Sequence, residues 1–377
     1  ALRSAVSVAN EYNVALGYSA LYSLTTGSKN VAIGDFAGRD NQVGDYNVFV
    51  GSYSGENNLG DNNVALGNLA LRGAATGGGT GCDYNVAIGS STLCNVTTGN
   101  TNVAIGREAL QNITSDSNNI GIGTNAGKTL VASTGSNVFL GNQAGYKVTT
   151  GNYNICIGRG TVGPNVGGNM TGEKNVVIGD EAGYGMDGAA SFNVLIGSKA
   201  GFNIEATSNN ICIGKETGTI IANGSNNVII GTGAEPSAST AGNQIVIGYE
   251  ATGHGNNIAV IGNTDCTAWH PADDNGVDLG SSSYEFKDLW IDGTSFADAL
   301  GFGTIAMTVP TADGSSGQVL VTDGSGMLSW NTLTGITTSQ ASAISANTAK
   351  TGITSTQASL IDGITATSTE LNIMDGV

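Results

Sequence analysis

Thirteen Lys plus Arg stand against thirty Asp plus Glu in 377 residues, a net charge of −17, with 59 glycines and only 11% charged residues. Globular chains run at about 25% charged and roughly 7% Gly, so this is not the composition of an average enzyme domain, and a chain so acidic is repelled by a phosphate backbone, whose binding rests on Lys and Arg displacing counterions. Nucleic acid is therefore not an expected partner; nor is membrane insertion, since no stretch approaches the roughly 20 apolar residues of a span and residues 1–30 lack the pattern of a signal peptide.

After a lead-in at residues 1–12, a short motif fills residues 13–262: NVALG from Asn13, NVAIG from Asn30, NVFVG from Asn47, and so on to QIVIG from Gln244 and a degenerate IAVIG ending at Gly262. The closing glycines step by 17, 17, 16, 22, 17, 17, 18, 17, 21, 18, 17, 17, 17 and 14. Such a period is too short for two helices. Each unit offers one β-branched run bounded by Asn and Gly, which predicts an all-β, parallel β-solenoid or β-roll of about fifteen coils.

Three positions after the closing Gly sits Ala, Ser or Thr (Ala20, Ala37, Ser54, Ala70, Thr92 and onward), a column narrow enough to face a tight interior. The opening Asn column is Asn13, Asn30, Asn47, Asn63, Asn85, Asn102, Asn119, Asn137, Asn154, Asn175, Asn193, Asn210 and Asn227. Stacked one coil apart, these amides either hydrogen-bond as a ladder or present a row of ligands; a repeating corner needs so many copies and a binding site does not, which favours the ladder.

Side chains alternate along a strand, yet the middle strand position is apolar or Gly in every copy, including Phe49, Phe139, Val177, Leu195, Ile229 and Val246. A strand apolar on both faces is buried on both. The expectation is that this column faces outward and meets other copies, most simply in a homotrimer.

From 263 the period breaks. Residues 263–334 gather Trp269, Phe286, Trp290, Phe296, Phe302 and Trp330, suggesting small β modules with bulky cores, with turns at Asp313–Gly314 and Asp323–Gly324 flanking the run QVLVT. Residues 335–377 are Ser/Thr-rich; Ser339 before QASAISANTAK and Thr351–Gly352 reads as an N-cap, a short helix and a C-cap, a stalk too poor in apolar residues to fold without partner chains.

No residue is expected to be catalytic, and no cofactor or metal is expected. His254 and His270 lie outside any nucleophile motif, and Cys82, Cys94, Cys156, Cys212 and Cys266 form no CxxC pair. Cys82 and Cys94 can close one loop disulfide, or all five are small apolar residues. Asp35, Asp45, Glu56, Asp61, Glu108 and Asp180, one per turn, read as solvated corners; Asp273, Asp274 and Asp278 lack calcium-loop spacing. The sequons at Asn95, Asn112, Asn169 and Asn223 carry no role.

Binding candidates come from the two long coils, Asn68 to Tyr84 and Arg159 to Lys174, because insertions in a solenoid become loops. The residues proposed for contact are Tyr84, Tyr153, Arg159 and Lys174. Tyr12, Tyr46, Tyr84 and Tyr153, with Phe192, each precede a strand Asn; they are either sugar platforms or corner residues covering their neighbours.

On the NVAIG motif, Asn13 to Gly262 resembles the head repeats of trimeric autotransporter adhesins, which form trimerising β-rolls, although their period is nearer fourteen. VDLGSSSYEFKDLWIDG (Val277 to Gly293), PTADGSSGQVLVTDGSGMLSW (Pro310 to Trp330) and the tail from Ile336 to Val377 are similar to modules of marine bacteriophage (cyanophage-like) tail fibres. That resemblance implies a virion tail-fibre protein, structural and non-enzymatic, homotrimeric, joined to other virion tail proteins and meeting a host surface glycan or envelope component. The alternatives are a bacterial extracellular adhesin or filament subunit at the cell surface, and a β-helical polysaccharide-degrading enzyme; an ice-binding solenoid would repeat Thr at one outward position in most coils. The chain starts at Ala1 without Met, as expected of a processed product or a piece of something longer.

Overall fold

The structure, a computed structural model, describes residues 11–73, 81–131, 135–163, 168–270, 279–281, 283–288, 290–292, 299–302, 305–308, 310, 312–316, 318–325 and 327–332. The lead-in before residue 11, residues 74–80 and 164–167 of the two long repeats, the acidic residues at 273–278 and the expected stalk at 335–377 lie outside them. Two compact units divide the chain, Ala1–His270 and Pro271–Val377.

The first unit is a parallel β-solenoid. Its strands are β1 (Val14–Leu16), β2 (Val31–Ile33), β3 (Val48–Val50), β4 (Val64–Leu66), β5 (Val86–Ile88), β6 (Val103–Ile105), β7 (Ile120–Ile122), β8 (Val138–Leu140), β9 (Ile155–Ile157), β10 (Val176–Ile178), β11 (Val194–Ile196), β12 (Ile211–Ile213), β13 (Val228–Ile230), β14 (Ile245–Ile247) and β15 (Ala259–Ile261). They form one 15-stranded sheet in sequence order, hence fourteen turns. At ~4.8 Å per parallel strand the sheet runs for about 67 Å. No helix occurs among the described residues.

Each strand is short because both of its ends are committed to corners. The closing glycine has φ near +130°, and a Cβ on Gly17 would stand 2.3 Å from the Gly34 carbonyl oxygen of the next coil. No side chain fits that column. Register survives changes in coil length: Val64 pairs with Val86, and Ile155 with Val176, across the two longest coils. The extra residues therefore leave the sheet.

The strand's two faces are the reverse of the expectation. Phe49, Phe139, Val177, Leu195, Ile229 and Val246, expected at an oligomer interface, are all 0% exposed within one chain. They are interior. The physical reason is parity: the opening Asn, also buried, and the middle residue are two apart and share a face, so the first and third strand residues face out. Filling confirms the direction. Several coils trade volume within one section: the small middle residues Ala65, Ala87 and Ala104 have Leu71, Leu93 and Leu110 six positions on. Phe49, Phe139, Val177 and Leu195 have Gly there. A Cβ on Gly55 would lie 2.3 Å from the Phe49 ring, and one on Gly145 2.1 Å from Phe139. Interiors are close-packed, so a large group is matched by Gly beside it, in its own coil or the next: a Cβ on Gly38 would stand 2.8 Å from the Phe49 ring.

The small-residue column is interior as expected, with Ala20, Ala37, Ser54, Thr92 and Thr161 fully buried. The Asn column is a hydrogen-bonded ladder. Asn154 shows the unit: its backbone N–H donates to Asn137 Oδ1 (2.9 Å) and its Nδ2 to the Gly172 carbonyl (3.0 Å). Its own Oδ1 accepts from Asn175 N (3.1 Å) and Nδ2 (2.9 Å). Each bond adds about 1 kcal/mol net, but a buried partner left unpaired costs about 1–3 kcal/mol, which is why one residue type recurs.

All five cysteines are free, so Cys82 and Cys94 are not bridged; Cys82 Sγ instead accepts from Asn58 Nδ2 (3.1 Å). Burial pushes the thiols of Cys82, Cys156 and Cys212 up to about 12.

The second unit contains two antiparallel hairpins, β16 (Ala299–Phe302) with β17 (Ile305–Thr308) and β18 (Gln318–Thr322) with β19 (Leu328–Thr332). The Asp323 carboxylate organises the second turn by accepting from Ser325 Oγ, Ser325 N and Met327 N, which lowers its pKa to about 2. Trp330 Nε1 donates to the Ala312 carbonyl (2.8 Å). Tyr284, Phe286 and Trp290 are exposed rather than gathered in a bulky core.

Candidate binding ridge

The residue before each strand Asn turns a corner in the left-handed region, with φ of 65° at Tyr12, 61° at Lys29, 58° at Tyr46, Tyr84, Lys174 and Phe192, and 56° at Tyr153. That region costs an ordinary L-residue roughly 1–2 kcal/mol and is most tolerable for Asn and Gly. Asn62, Asn118, Asn209, Asn226, Asn243 and Asn257 occupy the same place. The conformation belongs to the coil: Tyr46 N donates to Ser28 O (3.1 Å), Asn62 N to Asp45 O (2.9 Å) and Tyr84 N to Asp61 O (3.1 Å) in one pattern. Only the side chain changes from coil to coil. It projects away from the interior, because the Asn that follows points in.

The aromatic members are exposed: Tyr12 76%, Tyr84 61%, Tyr46 and Tyr153 52%, Phe192 49%. Counting the coil of Asn13 as the first, they stand on coils 1, 3, 5, 9 and 11, with Lys29 on coil 2 and Lys174 on coil 10. Lys29 Nζ donates to Tyr46 Oη (2.6 Å), which raises the lysine pKa. Lys174 Nζ sits 5.1 Å from the Phe192 ring centroid and 3.1 Å from Glu173 Oε1. Beside the ridge runs a ladder of acids, in which Asp45 Oδ1 accepts from Ser28 N (2.6 Å), Asp61 Oδ1 from Asp45 N (2.7 Å) and Asp83 Oδ1 from Asp61 N (2.8 Å).

Of the four residues proposed for contact, Tyr84, Tyr153 and Lys174 thus share one column, and Arg159 does not. Arg159 follows the closing Gly158 at another corner, where Nη2 pairs with Asp180 Oδ2 (2.9 Å) and Glu181 Oε1 (3.1 Å). Lys29 was missed, as was the two-coil step; aligning the repeats by their Asn shows both. The corner acids are also more than solvated. Glu56 is buried against Arg39 (2.9 Å), with burial raising its pKa, and Glu108 takes Lys128 (2.6 Å) and Arg107 (2.9 Å).

A second surface lies next to the ridge. The first and third strand residues, almost all Val, Ile or Leu, make two outward columns along the whole sheet. Roughly 10 Å wide and about 67 Å long, the face covers on the order of 700 Å². That exceeds the ~300–600 Å² of the largest apolar patch on a typical monomer.

Among the described residues no group of three or more His, Cys, Asp or Glu is placed to hold a metal ion, and no helix is long and apolar enough to cross a membrane. No protein-family model matches the chain, and no curated protein matches it significantly.

Proposed function

We propose that the chain is a structural fibre protein of a viral tail, a self-associating rod, most simply a homotrimer, that carries attachment to a host surface. The observation that supports it is the outward apolar face. Two columns, branched aliphatic at every strand position but Ala259 and on the order of 700 Å² in area, approach the ~800 Å² per partner of a standard protein interface. The occupant that matches a strictly repeating face is another copy of the same repeat. The association is thereby moved from the middle strand column to its two neighbours. The sequence resemblance at Val277 to Gly293 and Pro310 to Trp330 supports the tail over the cell surface.

The test is assembly. Sedimentation equilibrium of the full chain is expected to give three copies, and the triple variant Ile105→Asp, Leu140→Asp, Ile157→Asp a folded monomer with an unchanged circular dichroism spectrum. A monomeric wild type, or a variant that still assembles, overturns the interface. Antibody against the chain is expected to mark the tails of particles that encode it; marking of a cell envelope alone would assign it to the bacterial adhesin reading.

A further inference from the structure

Resting on that attachment reading, we propose that the ridge binds a neutral, extended, β-linked glycan chain laid along the solenoid axis. The argument begins with spacing. Two coils span about 9.6 Å at ~4.8 Å per strand, and Tyr12, Tyr46 and Tyr84 hold the same corner of alternate coils, as do Tyr153 and Phe192, so their backbone positions repeat at that step. In a flat β-1,4-linked chain successive sugars are flipped, so the same face returns once per disaccharide, at nearly this distance. A helical α-linked chain offers no such straight repeat. Coil 7 carries Asn118 in place of a ring, and the series resumes in step at coil 9, four coils after Tyr84.

Chemistry of the intervening positions fits the same ligand. Aromatic rings take the apolar face of a pyranose, while Lys29 and Lys174, each leaning on the next coil's ring with Nζ 4.5 Å from the Tyr46 centroid and 5.1 Å from the Phe192 centroid, keep N–H groups to donate to sugar hydroxyls. The acid ladder of Asp45, Asp61 and Asp83 beside the rings, on a chain of charge −17, disfavours a polyanionic glycan. The alternative role for the rings, as cover for the corner, fails on comparison within the molecule: six coils close the same corner with Asn, at the same φ.

That comparison supplies the test. In the full chain, Tyr12, Tyr46, Tyr84, Tyr153 and Phe192 are all replaced by Asn, the residue the fold itself uses there, and binding of cellohexaose, cellobiose and maltohexaose is measured by calorimetry, with sedimentation confirming unchanged assembly. Wild type is expected to bind cellohexaose at least about tenfold more tightly than cellobiose or maltohexaose. The Asn variant is expected to lose at least about tenfold for cellohexaose, and a variant with the four tyrosines changed to Phe to keep it. Equal affinity for cellohexaose and maltohexaose, no binding by wild type, or undiminished binding by the Asn variant overturns the proposal. The chain-length and linkage comparisons stand on wild type alone, so they decide even where a variant misfolds. If wild type still attaches to cells without binding cellohexaose, the ridge is wrong and the attachment reading survives.

Discussion

Adjacent residues of one strand live under opposite rules. Phe139, facing in, has its size fixed by Gly127 and Gly145, whose Cβ atoms would stand 2.4 and 2.1 Å from its ring. Leu140, facing out, is fixed in character and is half-buried rather than enclosed. Inside, a position answers to the coils before and after it and to the residue across the same section. Outside, it answers only to the repeat. Constraint in this fold is radial, and the period alone does not show where it is strong.

The sharpest way to break that contrast is to place a charge on each side of the strand. Phe139→Asp puts an unpaired carboxylate in the interior and is expected to cost about 4 kcal/mol or more, seen as loss of hydrogen-exchange protection through β7 to β9. Leu140→Asp is expected to change stability by less than about 1 kcal/mol while weakening assembly. Equal losses of protection would mean that the two faces are not distinct.

A smaller effect tests the exchange of volume. Phe139→Ala is expected to cost about 3–5 kcal/mol through its cavity. Adding Gly145→Leu restores the small-then-large order of Ala87 with Leu93, and Leu93 already holds φ 47° at that place. The double variant should regain at least half of the loss in urea denaturation; a further loss would show that neighbouring coils, not the one section, set the size.

A separate effect is alkaline. The interior thiols of Cys156 and Cys212 stand at about 12 folded and near 9.0 in their unperturbed form. Above pH 9 the unfolded chain releases protons that the folded chain keeps, so stability is full below about 9 and falls as pH rises toward 12, by up to ~1.4 kcal/mol per pH unit for each thiol. Cys156→Ala with Cys212→Ala should flatten that slope. Cys266, exposed, should react with iodoacetamide in the native protein, and Cys156 only after unfolding.

The coil count, the Asn ladder and the small-residue column were legible because each depends on a repeat and a residue type. The facing of the middle column was not, since both faces of the strand are apolar and alternation then carries no sign. The deciding signal was present in the pairs Ala65 with Leu71 and Phe49 with Gly55, which require a shared section. Aromatic residues on the ridge were visible one by one; their common column and even step depend on counting coils, whose lengths vary, rather than residues. Arg159 was drawn to the wrong corner because it borders an insertion, and an insertion leaves the sheet without moving what flanks it.

That the strands keep register across a coil of 22 residues as readily as one of 17 has a consequence for how such a chain can lengthen. A duplicated or deleted unit joins its neighbours through the same Asn and Gly contacts where its interior side chains fit theirs, so reach can change by counting. The ridge keeps a different arithmetic. Adding one fitting coil between Tyr84 and Tyr153 would keep the Asn and Gly columns continuous and put the two groups of rings out of phase; adding two would leave both intact. Growth by pairs preserves everything that growth by single units would preserve, and one thing more.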